Sequence, residues 1–154
     1  MIPIGKPVSG LHCGDHFYAL LSDDGTLSVI AVADRWWYKN IGIDLHSPKI
    51  TVYLPETEYA ALSIKESTGD IILRNVIAAG EYKVERSAGG VIFDSSDTAG
   101  IFVKTSTGDV IGSLRSEKVF IAGSSTGDVS VPKTASGGKC EIITSTGDIN
   151  IEIN

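Results

Sequence analysis

The chain is poor in the residues that most chemistry needs. Among 154 residues there are two cysteines, Cys13 and Cys140, three histidines and one methionine. Two cysteines make no disulfide framework of the kind that staples small secreted domains. Basic residues number 13 against 19 acidic ones, a net charge of −6, and they form no runs. That balance excludes electrostatic binding to a nucleic-acid backbone or an anionic membrane surface as the main role. No apolar stretch reaches the ~18 residues of a membrane-spanning helix. Met1–Gly14 lacks the apolar core of a signal peptide. With neither leader nor anchor in this chain, a cytoplasmic location is the default expectation.

Valine, isoleucine, threonine and serine, together with 17 glycines, are abundant instead. These favour strands and tight turns. The tetrapeptide Ser-Thr-Gly-Asp occurs four times, starting at Ser67, Ser106, Ser125 and Ser145. The gap of 39 between the first two predicts a further copy near position 87, and Ser87-Ala88-Gly89-Gly90 stands there in degenerate form. Successive starts are then 20, 19, 19 and 20 residues apart.

Columns read through this register explain the rhythm. Five residues before each Ser stand Leu62, Tyr82, Ile101, Phe120 and Cys140; three before stand Ile64, Val84, Val103, Ala122 and Ile142. Four after stand Ile71, Val91, Val110, Val129 and Ile149; six after stand Leu73, Phe93, Gly112, Val131 and Ile151. Each repeat is thus two short strands of period 2 flanking a turn. The glycine column, Gly69, Gly89, Gly108, Gly127 and Gly147, has no exception, as a corner with positive φ demands. A unit this short cannot bury its own apolar face, whereas stacked units can. The expectation is an all-β, single-stranded β-solenoid of five rungs over 61–154, each of 19–20 residues and stacked in sequence order. Alternating strands over 23–60 are expected to cover its first rung, after a poorly defined segment 1–22, all within one domain, 1–154.

The passage Val52-Tyr53-Leu54-Pro55, then Leu62, then the Ser-Thr-Gly-Asp copies resembles a bacterial adhesin-like family built on domain of unknown function 4097. The resemblance runs from about Gly25 to Ile153. It implies a β-solenoid and an adhesive role at the cell envelope.

Several residue groups could carry function. A motif present on four rungs cannot be four active sites, so Asp70, Asp109, Asp128 and Asp148, with the glycines beside them, are expected to build turns. Their hydroxyl and carboxylate groups would bond nearby backbone N–H groups, as Asx- and ST-turns do. Asp109, Asp128 and Asp148 would also stack on consecutive rungs, where a bound Ca²⁺ is the alternative to solvated carboxylates. His12, Cys13 and His16 offer three metal ligands within five residues, but zinc would need a fourth, so no metal or other cofactor is assigned. Thr105/Thr107, Ser124/Thr126 and Thr144/Thr146 suggest a hydroxyl ladder on a solvated face. Trp36, Trp37 and Tyr38 form an aromatic cluster suited to core packing or to contact with a sugar or protein.

These features predict a non-enzymatic solenoid acting as an adhesin-like surface or interaction module, with an unassigned protein or cell-surface ligand. An intracellular scaffold that binds a protein partner is the alternative. A carbohydrate-active β-helix is disfavoured, because no acid or base column lines a groove. The final rung carries Ile149, Ile151 and Ile153 in one phase, with only Glu152 between to protect it. Its open edge predicts a homodimer through the C-terminal rung.

Overall fold

The structure is a computed structural model that describes residues Phe17–Leu21, Leu27–Ala31 and 58–154. Contacts divide the chain into two compact units, Met1–Pro55 and Glu56–Asn154. In the first, strands β1 (Phe17–Leu21) and β2 (Leu27–Ala31) form an antiparallel pair, from Phe17 opposite Ala31 to Leu21 opposite Leu27.

The second unit is a parallel β-solenoid, and no helix occurs among the described residues. Each repeat makes one coil with a strand on each of two ladders. The first coil holds β3 (Leu62–Thr68) and β4 (Ile71–Arg74). The second holds β5 (Ile77–Ala88) and the first half of β6 (Val91–Thr107); the rest of β6 begins the third, which β7 (Val110–Leu114) completes. The fourth holds β8 (Lys118–Thr126) and the two-residue β9 (Val129–Ser130). The fifth holds β10 (Gly138–Thr146) and β11 (Ile149–Ile153).

The register across coils is the one the columns gave: Leu62 pairs with Tyr82, Tyr82 with Ile101, Ile101 with Cys140 and Cys140 with Phe120. That last step corrects the expected order. The fifth coil lies between the third and the fourth, because β10 pairs with β6 on one side and β8 on the other, and β11 pairs with both β7 and β9. The stack therefore runs 1-2-3-5-4.

Burial explains the insertion. The inward residues of the fifth coil, Cys140, Ile142, Ile149 and Ile151, are strong apolar fillers and are buried. Their counterparts in the fourth coil are weaker: Phe120, Ala122 and Val131 are half-buried and Val129 is exposed. Pro132 follows, with no N–H to offer a ladder. The atypical repeat closes the stack, as terminal units of solenoids do. The predicted dimer needed an open edge on the C-terminal rung. That rung lies inside the stack, with Ile149 and Ile151 only 1% and 2% exposed, and on its outer side β9 pairs with Ile149 and Asn150 alone.

The core is continuous from Ile71 and Leu73 to Ile149 and Ile151. Tyr82 and Phe93 stack inside it, 6° from parallel with centroids 6.4 Å apart. A second set of corners uses non-glycine residues: Asn75 and Ser95 have φ of 52° and 49°. Asn tolerates that left-handed region better than most residues.

Candidate functional site

Every corner glycine is in the positive-φ region, with φ between 118° and 143° at Gly69, Gly89, Gly108, Gly127 and Gly147. A Cβ on Gly108 would overlap the Gly89 carbonyl of the coil below. Both the turn and the stacking distance therefore require glycine. Corner amides run up the stack, Gly89 N–H to Thr107 O and Gly108 N–H to Thr146 O at 2.8 Å each, then Gly147 N–H to Thr126 O at 2.9 Å.

The aspartates act between coils rather than within their own turns, which corrects the Asx-turn expectation. Asp70 accepts from the Gly90 N–H at 2.8 Å, Asp109 from the Asp148 N–H at 2.8 Å, and Asp148 from the Asp128 N–H at 2.9 Å. Each carboxylate latches its coil to the one above. The consecutive pairs are Asp109–Asp148 and Asp148–Asp128, not the order in sequence. The Asp128 carboxylate, at the end of the column, accepts nothing from a described residue.

The hydroxyl ladder is also corrected. Thr105 and Thr144 are 3% and 1% exposed, so they face inward. Thr144 donates to the Thr146 carbonyl at 3.2 Å, and Ser124 to the Gly147 carbonyl at 2.8 Å. These hydroxyls add bonds at the corners, since the Thr146 carbonyl also accepts from the Gly108 N–H. In the degenerate second coil Arg86 takes this position. Its guanidinium donates to the Gly90 carbonyl at 2.7 Å and the Ala88 carbonyl at 2.6 Å, while its Nε has no partner. The guanidinium lies against Gly89, where any side chain would strike it.

The densest polar cluster lies at the start of the fourth coil, and no motif marked it. Lys118 is 2% exposed; its ammonium donates to Asp97 at 2.8 Å and to the Ser116 hydroxyl, which itself donates to Asp97 at 2.7 Å. Burial pushes the Asp97 carboxyl up, but hydrogen bonds from Lys118, Ser116 and the Thr98 N–H outweigh it and hold the carboxyl below its ordinary range. The Ser116 proton is committed to the Asp97 carboxylate, and its hydroxyl oxygen accepts from Lys118. Nearby, burial raises the Cys140 thiol to about 12 against a smaller opposing effect of Lys118, so the thiolate that reacts is scarce. The one sign of this cluster in the sequence was a lysine standing where an inward residue belongs.

The outer face of the second ladder carries a shallow groove of about 460 Å³, lined in part by Ile72, Ile92 and Ile111 with Arg74, Asp94 and Glu152 at its rim. Ile72 is 50% and Ile111 39% exposed, and Arg74 pairs with Asp94 at 2.7 Å. Among the described residues no group of three or more His, Cys, Asp or Glu could hold a metal ion. His12, Cys13, His16 and the aromatic cluster Trp36, Trp37 and Tyr38 lie outside the described residues. No helix among the described residues is long and apolar enough to cross a membrane.

A parallel solenoid of coils repeating every 19 or 20 residues defines a repeat-domain class. The model of the DUF4097 Toastrack family matches residues 16–154, and the chain belongs to that family. No curated protein and no solved structure matches the chain.

Proposed function

We propose that this Toastrack domain is a non-enzymatic module that binds a protein partner along the groove of its second ladder. The observation that carries the reading is the file of outward isoleucines, Ile72, Ile92 and Ile111, on three successive coils. Isolated exposed apolar residues are ordinary, but an aligned row within a charged rim is what an interaction surface presents. The rim holds both signs of charge, Arg74 against Asp94 and Glu152, so the partner is an extended apolar segment with mixed flanking charges. The commitment of the corner hydroxyls, the aspartates and the Lys118 ammonium to structural bonds supports the absence of catalysis.

An adhesive role at a cell surface is the finer form of this reading and draws its support from the family resemblance. An intracellular scaffold would use the same groove. A photo-crosslinking residue at Ile92, in cells that make the protein, tests the reading. The expected result is one discrete adduct that Ile72→Asp or Ile111→Asp removes while leaving the circular dichroism unchanged. An adduct pattern indifferent to both substitutions would contradict it.

A further inference from the structure

The Ser-Thr-Gly-Asp corners of the fourth and fifth coils offer the third coil the same hydrogen bonds. Backbone pairing alone therefore does not choose between the observed order and a sequential stack. Something else must discriminate, and it lies where each of these coils begins. Gly138 stands in register with Lys118. A Cβ on Gly138 would overlap the Ala99 carbonyl of the third coil, and one on Gly137 would overlap the Glu117 carbonyl of the fourth. Only a pair of glycines enters this gap. Were the fourth coil seated directly on the third in the same register, Lys118 would occupy the place of Gly138, with its Cβ against the Ala99 carbonyl. Seated where it is, Lys118 instead extends past the side-chain-free Gly138 to Asp97 in the coil beyond.

We propose that Gly137–Gly138 and the Lys118–Asp97 pair form an order lock that selects the inserted stack and keeps the apolar fifth coil off the end of the solenoid. The Ala99 carbonyl admits Gly138 and excludes the Cβ of Lys118, and the ion pair rewards the two-coil separation. Buried polar pairs are best attested in this kind of registry role. The consequence is a restraint on self-association. In a sequential stack the terminal coil would present Ile142, Ile149 and Ile151, a strong template for the edge of a second copy. In the inserted stack it presents the smaller counterparts Ala122, Val129 and Val131, the last followed by Pro132, which has no N–H to offer a ladder.

The test is to exchange the two residues in the full chain, Lys118→Gly with Gly138→Lys, and to read methyl NOEs and light scattering. In the wild type Val103 is in register with Ile142, and Ala122 lies on the far side of Ile142. The exchanged variant is expected to lose the Val103–Ile142 contact and gain Val103–Ala122. Its scattering mass should rise about twofold or more through the newly terminal fifth coil. Gly138→Ala alone, which blocks the gap without supplying a substitute, should also lose the Val103–Ile142 contact. An exchanged variant that folds with Val103 still against Ile142 overturns the proposal. So does one that fails to fold, since the lock implies that the sequential stack becomes accessible once the glycine is moved. Gly138→Ala with unchanged NOEs overturns it as well.

Discussion

Lys118 and Asp97 meet at 2.8 Å although they begin different coils and the start of a third, Gly138, lies in register between them. The ion pair is nearly closed to water on the lysine side, with Lys118 at 2% exposure and Asp97 at 25%. Removing one partner of such a pair leaves an uncompensated buried charge, which costs far more than the pair itself contributes. Asp97→Ala should therefore destabilise the solenoid by about 3 kcal/mol. Lys118→Met, which removes the charge but keeps the apolar stem, should cost less. Chemical denaturation of the two variants checks the ranking, and equal losses would contradict it.

The same pair sets a pH dependence. The native carboxyl of Asp97 titrates below its unfolded value. Its contribution is therefore fully present above the ordinary aspartate range, near pH ~4, and is lost as pH falls through the depressed native value. Between neutral pH and that window Asp97 should add no slope. In Asp97→Asn this acid-side loss should be smaller than in the wild type, as acid titration followed by circular dichroism would register.

Corner glycines should be intolerant of substitution in a way that other glycines are not. Gly108→Ala places a Cβ at φ 138° against the backbone of the coil below and should cost about 2 kcal/mol or more. Gly123 has nothing within 4 Å of its Cβ position. Gly123→Ala should be neutral or stabilising by up to ~1 kcal/mol. Thermal unfolding of the two variants separates them, and similar melting temperatures would refute the distinction.

Aspartates of the same motif should differ according to what lies above them. Asp109→Ala and Asp148→Ala each remove an acceptor from an amide of the next coil, a loss of about 1 kcal/mol. Asp128→Ala removes no such bond and should fall within ~0.5 kcal/mol of the wild type. Three equal losses would show that the carboxylates act within their own turns after all.

How much of this was written in the sequence depends on the range of the interaction. Period and turn chemistry act within a coil, so the strand columns, the corner glycines and their positive φ were readable from Gly69 to Gly147. The direction of the aspartate bonds was not, because Asp148 chooses between its own turn and the amide of Asp128 only once the coils are stacked. Thr105 and Thr144 were misplaced on a solvated face because their hydroxyls were weighed above their phase: both continue the inward alternation of Ile101 and Val103, and of Cys140 and Ile142. Coil order was the largest miss. Identical corners make the fourth and fifth repeats interchangeable to any argument from spacing. The clues that separate them, Ala122, Pro132, Gly137 and Gly138, gain meaning only from contacts between coils. The groove of Ile72, Ile92 and Ile111 was hidden because each isoleucine alone reads as an ordinary exposed strand residue.

Couplings across hydrogen bonds read the order of the coils without intermediary. In the native protein the Gly108 amide nitrogen should couple to the Thr146 carbonyl carbon, and the Gly147 nitrogen to the Thr126 carbonyl carbon. A coupling from Gly108 to Thr126, with none to Thr146, would mean that the coils stack in sequence order and that the fifth is not inserted.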